Sequence, residues 1–227
     1  MKSLGIKGAS VTIPYKIDVI RFLDAIDSTA ADIGAVNTLV NTGGTITGYN
    51  TDGYGAVRAL EHKKIAVEKS VILILGNGGS ARAIALTLLE NGASVLLAGR
   101  NASKIENLAR DFKKEQRPVH SLLIGDLDRK LMETIDIIIN TTPVGMSPDI
   151  DIMPLREDLI MQRHTVFDIV YTPLMTKLLT VAQEKRCTIV SGIDMLLFQG
   201  ARQFELWTGK PAPVGAISSA IMKHVHG

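Results

Sequence analysis

The chain has a single cysteine, Cys187, so it cannot close an internal disulfide, and a reducing compartment, the cytoplasm, is expected. Its net charge is only +2 and no basic run exceeds two residues, which leaves no electrostatic footprint for nucleic acid. No apolar run approaches the roughly 18 residues of a membrane span, and the start, MKSLGIKG, lacks the apolar core of a secretory signal. Internal repeats and low-complexity segments are also missing. No nucleic-acid, membrane or metal partner is therefore expected. What is present is 227 residues, 46% hydrophobic and 21% charged, ordinary for an α/β protein of one large domain or two small ones.

The most informative stretch is VILILGNGGSARAIALTLL, residues 71–89. A β-branched and apolar run meets Gly76, Gly78 and Gly79, and an alanine-rich helical pattern begins near Ser80. Strand, glycine turn and helix in that order point the positive end of a helix dipole, with unpartnered N–H groups, at the turn, where an anion is favoured. Glycines let the main chain turn tightly and let a diphosphate approach without meeting a Cβ. The spacing is G-x-G-G rather than G-x-G-x-x-G, and it also fits a tight turn that binds nothing. The next strand, residues 94–98, ends in Gly99-Arg100-Asn101. Arg100 lies 24 positions after Gly76, about where dinucleotide-binding folds carry the residue that reads the adenosine ribose. A cation there, with Arg82 and Lys104 nearby, suits a 2′-phosphate and favours NADP over NAD. The alternative for Arg100 and Lys104 is a solvated helix start, where cations oppose the dipole.

Along the rest of the chain, residues 8–13 read as a strand ending at Pro14, and residues 16–23 as a helix with Ile17, Ile20 and Leu23 on one face. Residues 24–34 are small and polar. Residues 35–41 and 46–49 read as strands about a Thr42-Gly43-Gly44 turn, and 54–63 as a helix. Beyond the glycine loop come a helix at 103–114, a strand at 119–124, a short helix at 127–132 and a strand at 135–139. The last is almost purely β-branched and belongs in the middle of a parallel sheet. It runs into the small, polar loop 140–146, on the sheet edge where ligands bind. Strands at 166–170 and 188–190 flank a helix at 174–184, the alternation of a doubly wound sheet. Two helices end the chain, with Met195, Leu196, Phe198, Leu206 and Trp207 mostly facing a core and Gln199 reading as a surface amide.

VTIPYK (11–16), GAVNTL (34–39), YNTDG (49–53), GNGGSAR (76–82), INTTPVGM (139–146), DIVYTPLMTKLL (168–179) and GIDMLLFQGARQFELWTG (192–209) follow one another as in the shikimate dehydrogenase family, which the chain resembles over nearly its whole length. The resemblance implies reversible reduction of 3-dehydroshikimate to shikimate by NADPH, a step of chorismate and aromatic amino acid biosynthesis. It makes Lys16 and Asp52 the catalytic pair. Such a pair suits the chemistry, because charge develops on the substrate oxygen as hydride reaches the carbon and a proton must be supplied. Without the family, Lys16 reads as an exposed helix-start lysine and Asp52 as a helix N-cap.

The same resemblance assigns Thr12, Asn37, Tyr171 and Gln199 to the polyol substrate. It assigns Gly76, Gly78, Gly79, Ser80, Ala81 and Arg82 to the diphosphate, and Arg100 and Lys104 to the 2′-phosphate. Thr141, Pro143, Gly145 and Met146 would border the nicotinamide, with Gly192 and Met195 on its far side. Tyr171 could instead be a buried ring bonded to a carbonyl. The expected architecture is a Rossmann-type doubly wound parallel sheet over residues 53–191, flanked by a smaller, N-terminally truncated α/β substrate domain made from 1–52 and 192–227.

Ser10, Asn77 and Gly99 depart from the family's commoner asparagine, alanine and asparagine. The largest departure is at the start. Family members carry about half a substrate domain before V-T-x-P, including an S-x-S pair that grips the substrate carboxylate, and this sequence has ten residues there. The expectation is a C-terminal portion of such an enzyme, or part of a bifunctional polypeptide, with an uncovered sheet edge, preserved NADPH preference and weak or absent shikimate turnover. A quinate dehydrogenase using NAD(P) and a non-catalytic NADP-binding module are the alternatives. Monomer and homodimer both remain open.

Overall fold

A computed structural model describes residues 1–114 and 119–226; residues 115–118 and Gly227, which fall inside the expected segments 53–191 and 192–227, lie outside the described residues. The first sheet is small. It contains β1 (Gly8–Ser10), β2 (Ala25–Ile26), β3 (Thr38–Thr42) and β4 (Thr45–Tyr49), in the order β1-β3-β4-β2, with α1 (Ser28–Ile33) between β2 and β3. β3 pairs antiparallel with β1 and β4, and β2 pairs parallel with β4.

After α2 (Asp52–His62) the chain winds a second sheet. Its elements are β5 (Val71–Leu75), α3 (Gly79–Glu90), β6 (Ser94–Gly99), α4 (Ala102–Lys114), β7 (Val119–Leu123), α5 (Arg129–Met132), β8 (Ile137–Asn140), β9 (Thr165–Asp168), α6 (Lys177–Glu184) and β10 (Thr188–Val190). All strands are parallel and ordered β10-β9-β8-β5-β6-β7, so the chain starts in the middle, winds to one edge, returns and winds to the other. That is the Rossmann-type order expected, with its direction reversing between β5 and β8. α7 (Gly192–Thr208) and α8 (Val214–His226) follow. No helix among the described residues is long and apolar enough to cross a membrane.

The central strands are apolar throughout because helices cover both faces. Ile72 and Ile74 of β5 and Ile137 and Ile139 of β8 face one core with Ala56, Leu60, Ile84 and Leu88. Their alternating neighbours Leu73, Leu75 and Ile138 face a second core with Met132, Leu159, Leu178 and Leu179. α7 ties the sheets together: it packs on α2 and β3, and Trp207 donates its indole N–H to the carbonyl of Leu39 at 2.9 Å. Met195 and Phe198 are buried on it as expected, while Leu196, Leu206 and Trp207 are half-buried.

The N-terminal stretch departs from its sequence pattern. The strand at 8–13 stops at Ser10, and the helix at 16–23 is only a 3₁₀ turn, Asp18–Phe22, which leaves Ile17 50% and Phe22 70% exposed. The polar stretch 24–34 holds both β2 and α1. The signals for α1 were present: Asp27 accepts a hydrogen bond from Thr29 N at 3.1 Å and Gly34 closes the helix at φ 68°.

Core placement gives a direct test. Ile139→Ala, at a fully buried β8 position, is expected to cost about 2–5 kcal/mol by urea unfolding. Leu4→Ala, at a residue 77% exposed, is expected to stay within about 0.5 kcal/mol; equal losses at both would contradict the core assignment.

Candidate active site

The reversal between β5 and β8 opens a crevice at the carboxyl ends of the strands, where the loops after Leu75 and Asn140 diverge. Gly76 sits at φ 119°, and a Cβ there would fall 2.6 Å from Thr141 Oγ1, which itself donates to the Leu75 carbonyl at 2.7 Å. Only glycine lets these two loops touch. α3 then begins with no side-chain cap at Gly78, which leaves its first N–H groups facing the crevice. A cavity of about 560 Å³ occupies the space, lined by Gly76, Gly78, Gly79, Ser80, Arg100, Lys104, Thr141 and Pro143. A backbone cradle that a Cβ would fill, an uncapped helix start and two exposed cations at one end fit a phosphorylated dinucleotide.

Three expected cofactor residues sit differently. Ala81 is fully buried in the core, and the Arg82 guanidinium turns away to pair with Asp111 at 3.1 Å, so either could meet a diphosphate only through its backbone. Gly145, at φ 89°, lines neither cavity, and a Cβ there would press on the Ile152 carbonyl at 3.3 Å.

A second cavity of about 550 Å³ adjoins the first. Thr12, Asn37, Asp52, Tyr171 and Gln199 line it, as do Met146, Gly192 and Met195. Gln199 is therefore not a surface amide: it is half-buried on α7 and accepts from Asn37 Nδ2 at 3.3 Å. Tyr171 is not a buried ring either, being 47% exposed at the cavity wall. Lys16 and Ser80 line both cavities.

At that junction Lys16 Nζ donates to Asp52 Oδ2 at 2.5 Å, with the two side chains only 14% and 4% exposed. Lys16 does not start a helix; its backbone carbonyl is held by Val36 N at 2.7 Å, which aims the side chain inward. Asp52 is not the N-cap of α2, a position taken by Thr51. Instead Asn37 Nδ2 donates to Asp52 Oδ1 at 2.7 Å, and the Asp52 backbone N–H donates to Asn50 Oδ1 at 2.9 Å. Ser80 Oγ completes a triangle, 3.1 Å from Lys16 Nζ and 3.2 Å from Asp52 Oδ2. Gly79 permits this approach, since a Cβ there would lie 3.3 Å from Lys16 Cβ. The arrangement leaves an oriented ammonium able to donate a proton or to stabilise an oxygen gaining negative charge.

The loops bordering the junction hang on a buried carboxylate that sequence reading did not single out. Asp168, fully buried at the end of β9, accepts from Asn140 Nδ2 at 2.9 Å, Val170 N at 3.0 Å and Thr176 Oγ1 at 2.7 Å. Asn140 in turn accepts from Thr142 N and Oγ1, at 3.0 and 2.7 Å, so one carboxylate fixes both the 140–146 loop and the 170–176 loop. Burial pushes the Asp168 carboxyl up to about 6, against the lowering effect of the Thr176, Val170 and Asn140 hydrogen bonds. Two more residues escaped notice, Thr38 and Gln203. Gln203 stands one helical turn beyond Gln199, on the same face of α7, and that spacing was the available signal.

Family models match the chain in three blocks: "Shikimate dehydrogenase substrate binding domain" over residues 1–39, "Shikimate / quinate 5-dehydrogenase" over residues 59–150 and "Shikimate 5'-dehydrogenase C-terminal domain" over residues 192–222. A shikimate dehydrogenase (NADP(+)) of Moorella thermoacetica is 42% identical over 230 residues, covering 100% of this chain and 78% of the relative. Among solved structures, a shikimate dehydrogenase in complex with NADP+ superposes with a TM-score of 0.93 at 38% identity, covering 99% of this chain and 78% of that one. The Listeria monocytogenes shikimate 5-dehydrogenase, in complex with shikimate and NAD, gives a TM-score of 0.88 at 32% identity, covering 97% and 79%.

The Asp168 carboxyl makes a pH prediction. Its folded pKa of about 6 lies above the ordinary 3.8, so the folded chain holds a proton that the unfolded chain releases. The resulting stabilisation is complete below the unfolded value, declines as pH rises and is gone above the folded value, a span of up to about 3 kcal/mol. Asp168→Asn removes this dependence. The stability of the parent relative to the variant, from urea unfolding between pH 4 and 7.5, should therefore fall with rising pH, and a flat difference would be inconsistent with a raised Asp168.

Proposed function

The chain belongs to the shikimate dehydrogenase family, and from that premise we propose that it catalyses the reversible, NADP-dependent reduction of 3-dehydroshikimate to shikimate at the Lys16–Asp52 junction. The observation that carries this reading is the position of the Lys16 ammonium, on the wall shared by a dinucleotide-shaped cavity and a polar one, 2.5 Å from the Asp52 carboxylate. Bound NADPH would supply hydride to the carbonyl carbon, or bound NADP+ would accept it from the alcohol, at that wall. Lys16 would hold the substrate oxygen, stabilise its charge as the carbonyl is reduced and give it a proton; in the reverse direction it would take the proton back. Asp52 would keep the ammonium aimed at that oxygen.

Thr12, Asn37, Tyr171 and Gln199, all on the second cavity, would bond the ring hydroxyls and carboxylate. Gly76, Gly78, Gly79 and Ser80 would cradle the diphosphate with the backbone of Ala81 and Arg82, and Arg100 and Lys104 would take the 2′-phosphate. Thr141, Pro143 and Met146 would border the nicotinamide with Gly192 and Met195 opposite, Gly145 serving to turn the loop. We assign residues 1–52 and 192–227 to a substrate lobe and 53–191 to a nucleotide lobe, a division supported by the two separate sheets.

Two measurements test this. Lys16→Ala should lower kcat for shikimate oxidation by about 10²-fold or more while changing NADPH affinity less than about twofold. A variant that turns over like the parent would remove Lys16 from the chemistry. Fluorescence titration of the parent should show tighter binding of NADPH than of NADH, and Arg100→Ala should weaken NADPH selectively, by about tenfold. Equal affinity for the two cofactors would overturn the 2′-phosphate assignment.

A further inference from the structure

We propose that Gln203 is a positioning residue: acting through Thr38, its amide fixes the facing of Asn37 and thereby holds the Asp52 carboxylate in line with Lys16. The proposal rests on the Lys16–Asp52 reading and extends it to a residue that touches neither. Gln203 is 4% exposed on α7 and, like Asn37, borders the second cavity; with Asn37 and Thr38 only 2% and 0% exposed, the polar atoms here are bonded mainly to one another.

The hydrogen bonds run in one direction. Gln203 Nε2 donates to the backbone carbonyl of Asn37 at 3.3 Å and to Thr38 Oγ1 at 2.9 Å. A backbone carbonyl can only accept, so the nitrogen of the Gln203 amide must face it, and Oε1 is turned to Ser10 Oγ at 2.8 Å. Thr38 has a single hydroxyl proton. With Gln203 donating to its oxygen, that proton goes to Asn37 Oδ1, at 2.6 Å. Thr51 N–H donates to the same oxygen at 2.9 Å. Two donors on Oδ1 leave Asn37 Nδ2 facing Asp52 Oδ1, at 2.7 Å, while Asp52 Oδ2 receives Lys16. Were the Asn37 amide reversed, its carbonyl oxygen would oppose the carboxylate and its NH₂ would meet the Thr51 N–H. The carboxylate would lose its grip on the side away from Lys16. Ser10 and Gln203 thus begin a relay that ends, four hydrogen bonds later, on Asp52.

The test uses the full chain with Gln203→Met, which keeps the volume and removes the amide. Shikimate oxidation should show kcat lowered by about tenfold with the KM for NADP+ within about twofold of the parent. Independently of activity, hydrogen exchange at the Thr51 amide, which reports Asn37 Oδ1, should quicken by about tenfold while the amide of Ile74 is unchanged. Thr38→Val should reproduce both effects, Thr38→Ser should reverse them, and the double variant should lose no more than about twofold beyond the larger single loss. Unchanged Thr51 exchange, an unchanged kcat, or multiplicative losses in the double variant would overturn the proposal. If Gln203→Met does not fold, the Thr38→Val and Thr38→Ser pair carries the same decision. An inactive parent would refute the function proposed above, and Thr51 exchange would still decide the role of Gln203.

Discussion

The constraint on which the rest of this molecule depends is the ion pair between Lys16 and Asp52. Its two members are nearly desolvated, at 14% and 4% exposed, and come from segments 36 residues apart. Removing two charges from water is costly unless geometry and further hydrogen bonds offset it. The surroundings supply both. Val36 anchors the Lys16 backbone, Asn37 and Asn50 hold Asp52, and Ser80 reaches across from the first turn of α3 to touch both charges. Because Ser80 also lines the dinucleotide-shaped cavity, the pair is fixed relative to both cavities at once.

A different solution serves the other side of the cleft. Asp168 is fully buried, and the donors it receives, from Asn140, Val170 and Thr176, are neutral. Its raised pKa is the mark of a carboxylate kept where burial disfavours its charge. The return is geometric: two loops that frame the cavities, 140–146 and 170–176, share one anchor at the carboxyl edge of the sheet. A costly group buried behind a site is commonly the sign of function rather than of stability.

The parallel sheet was legible because its signals are local and strong. The runs at 71–75 and 137–139 are apolar on both faces, and the glycines at 76, 78 and 79 mark a turn at which Gly76 lets two loops touch. The first lobe was harder to read. Residues 16–23 have helical spacing of apolar side chains, yet Ile17 and Phe22 stay exposed while Ile20 and Leu23 are only half-buried, and the segment closes as a 3₁₀ turn. Periodicity describes a face; it does not supply what buries it. α1 was missed for the opposite reason: its caps were present at Asp27 and Gly34, but its six residues carry too little apolar pattern to stand out.

By itself the sequence determined the order of elements in the parallel sheet, the glycine loop that favours an anion, the two cations that follow the next strand, and, through seven motifs in one order, the family. Those are properties of neighbours along the chain. Tertiary structure alone decided that Gln199 lines a cavity, that the Arg82 guanidinium pairs with Asp111 instead of facing one, that Asp168 and Thr38 stand behind the site, and that Gln203 borders the second cavity while bonding Thr38. A polar side chain acquires a role only when folding removes its water and presents specific partners, and those partners lie up to 193 residues away in sequence.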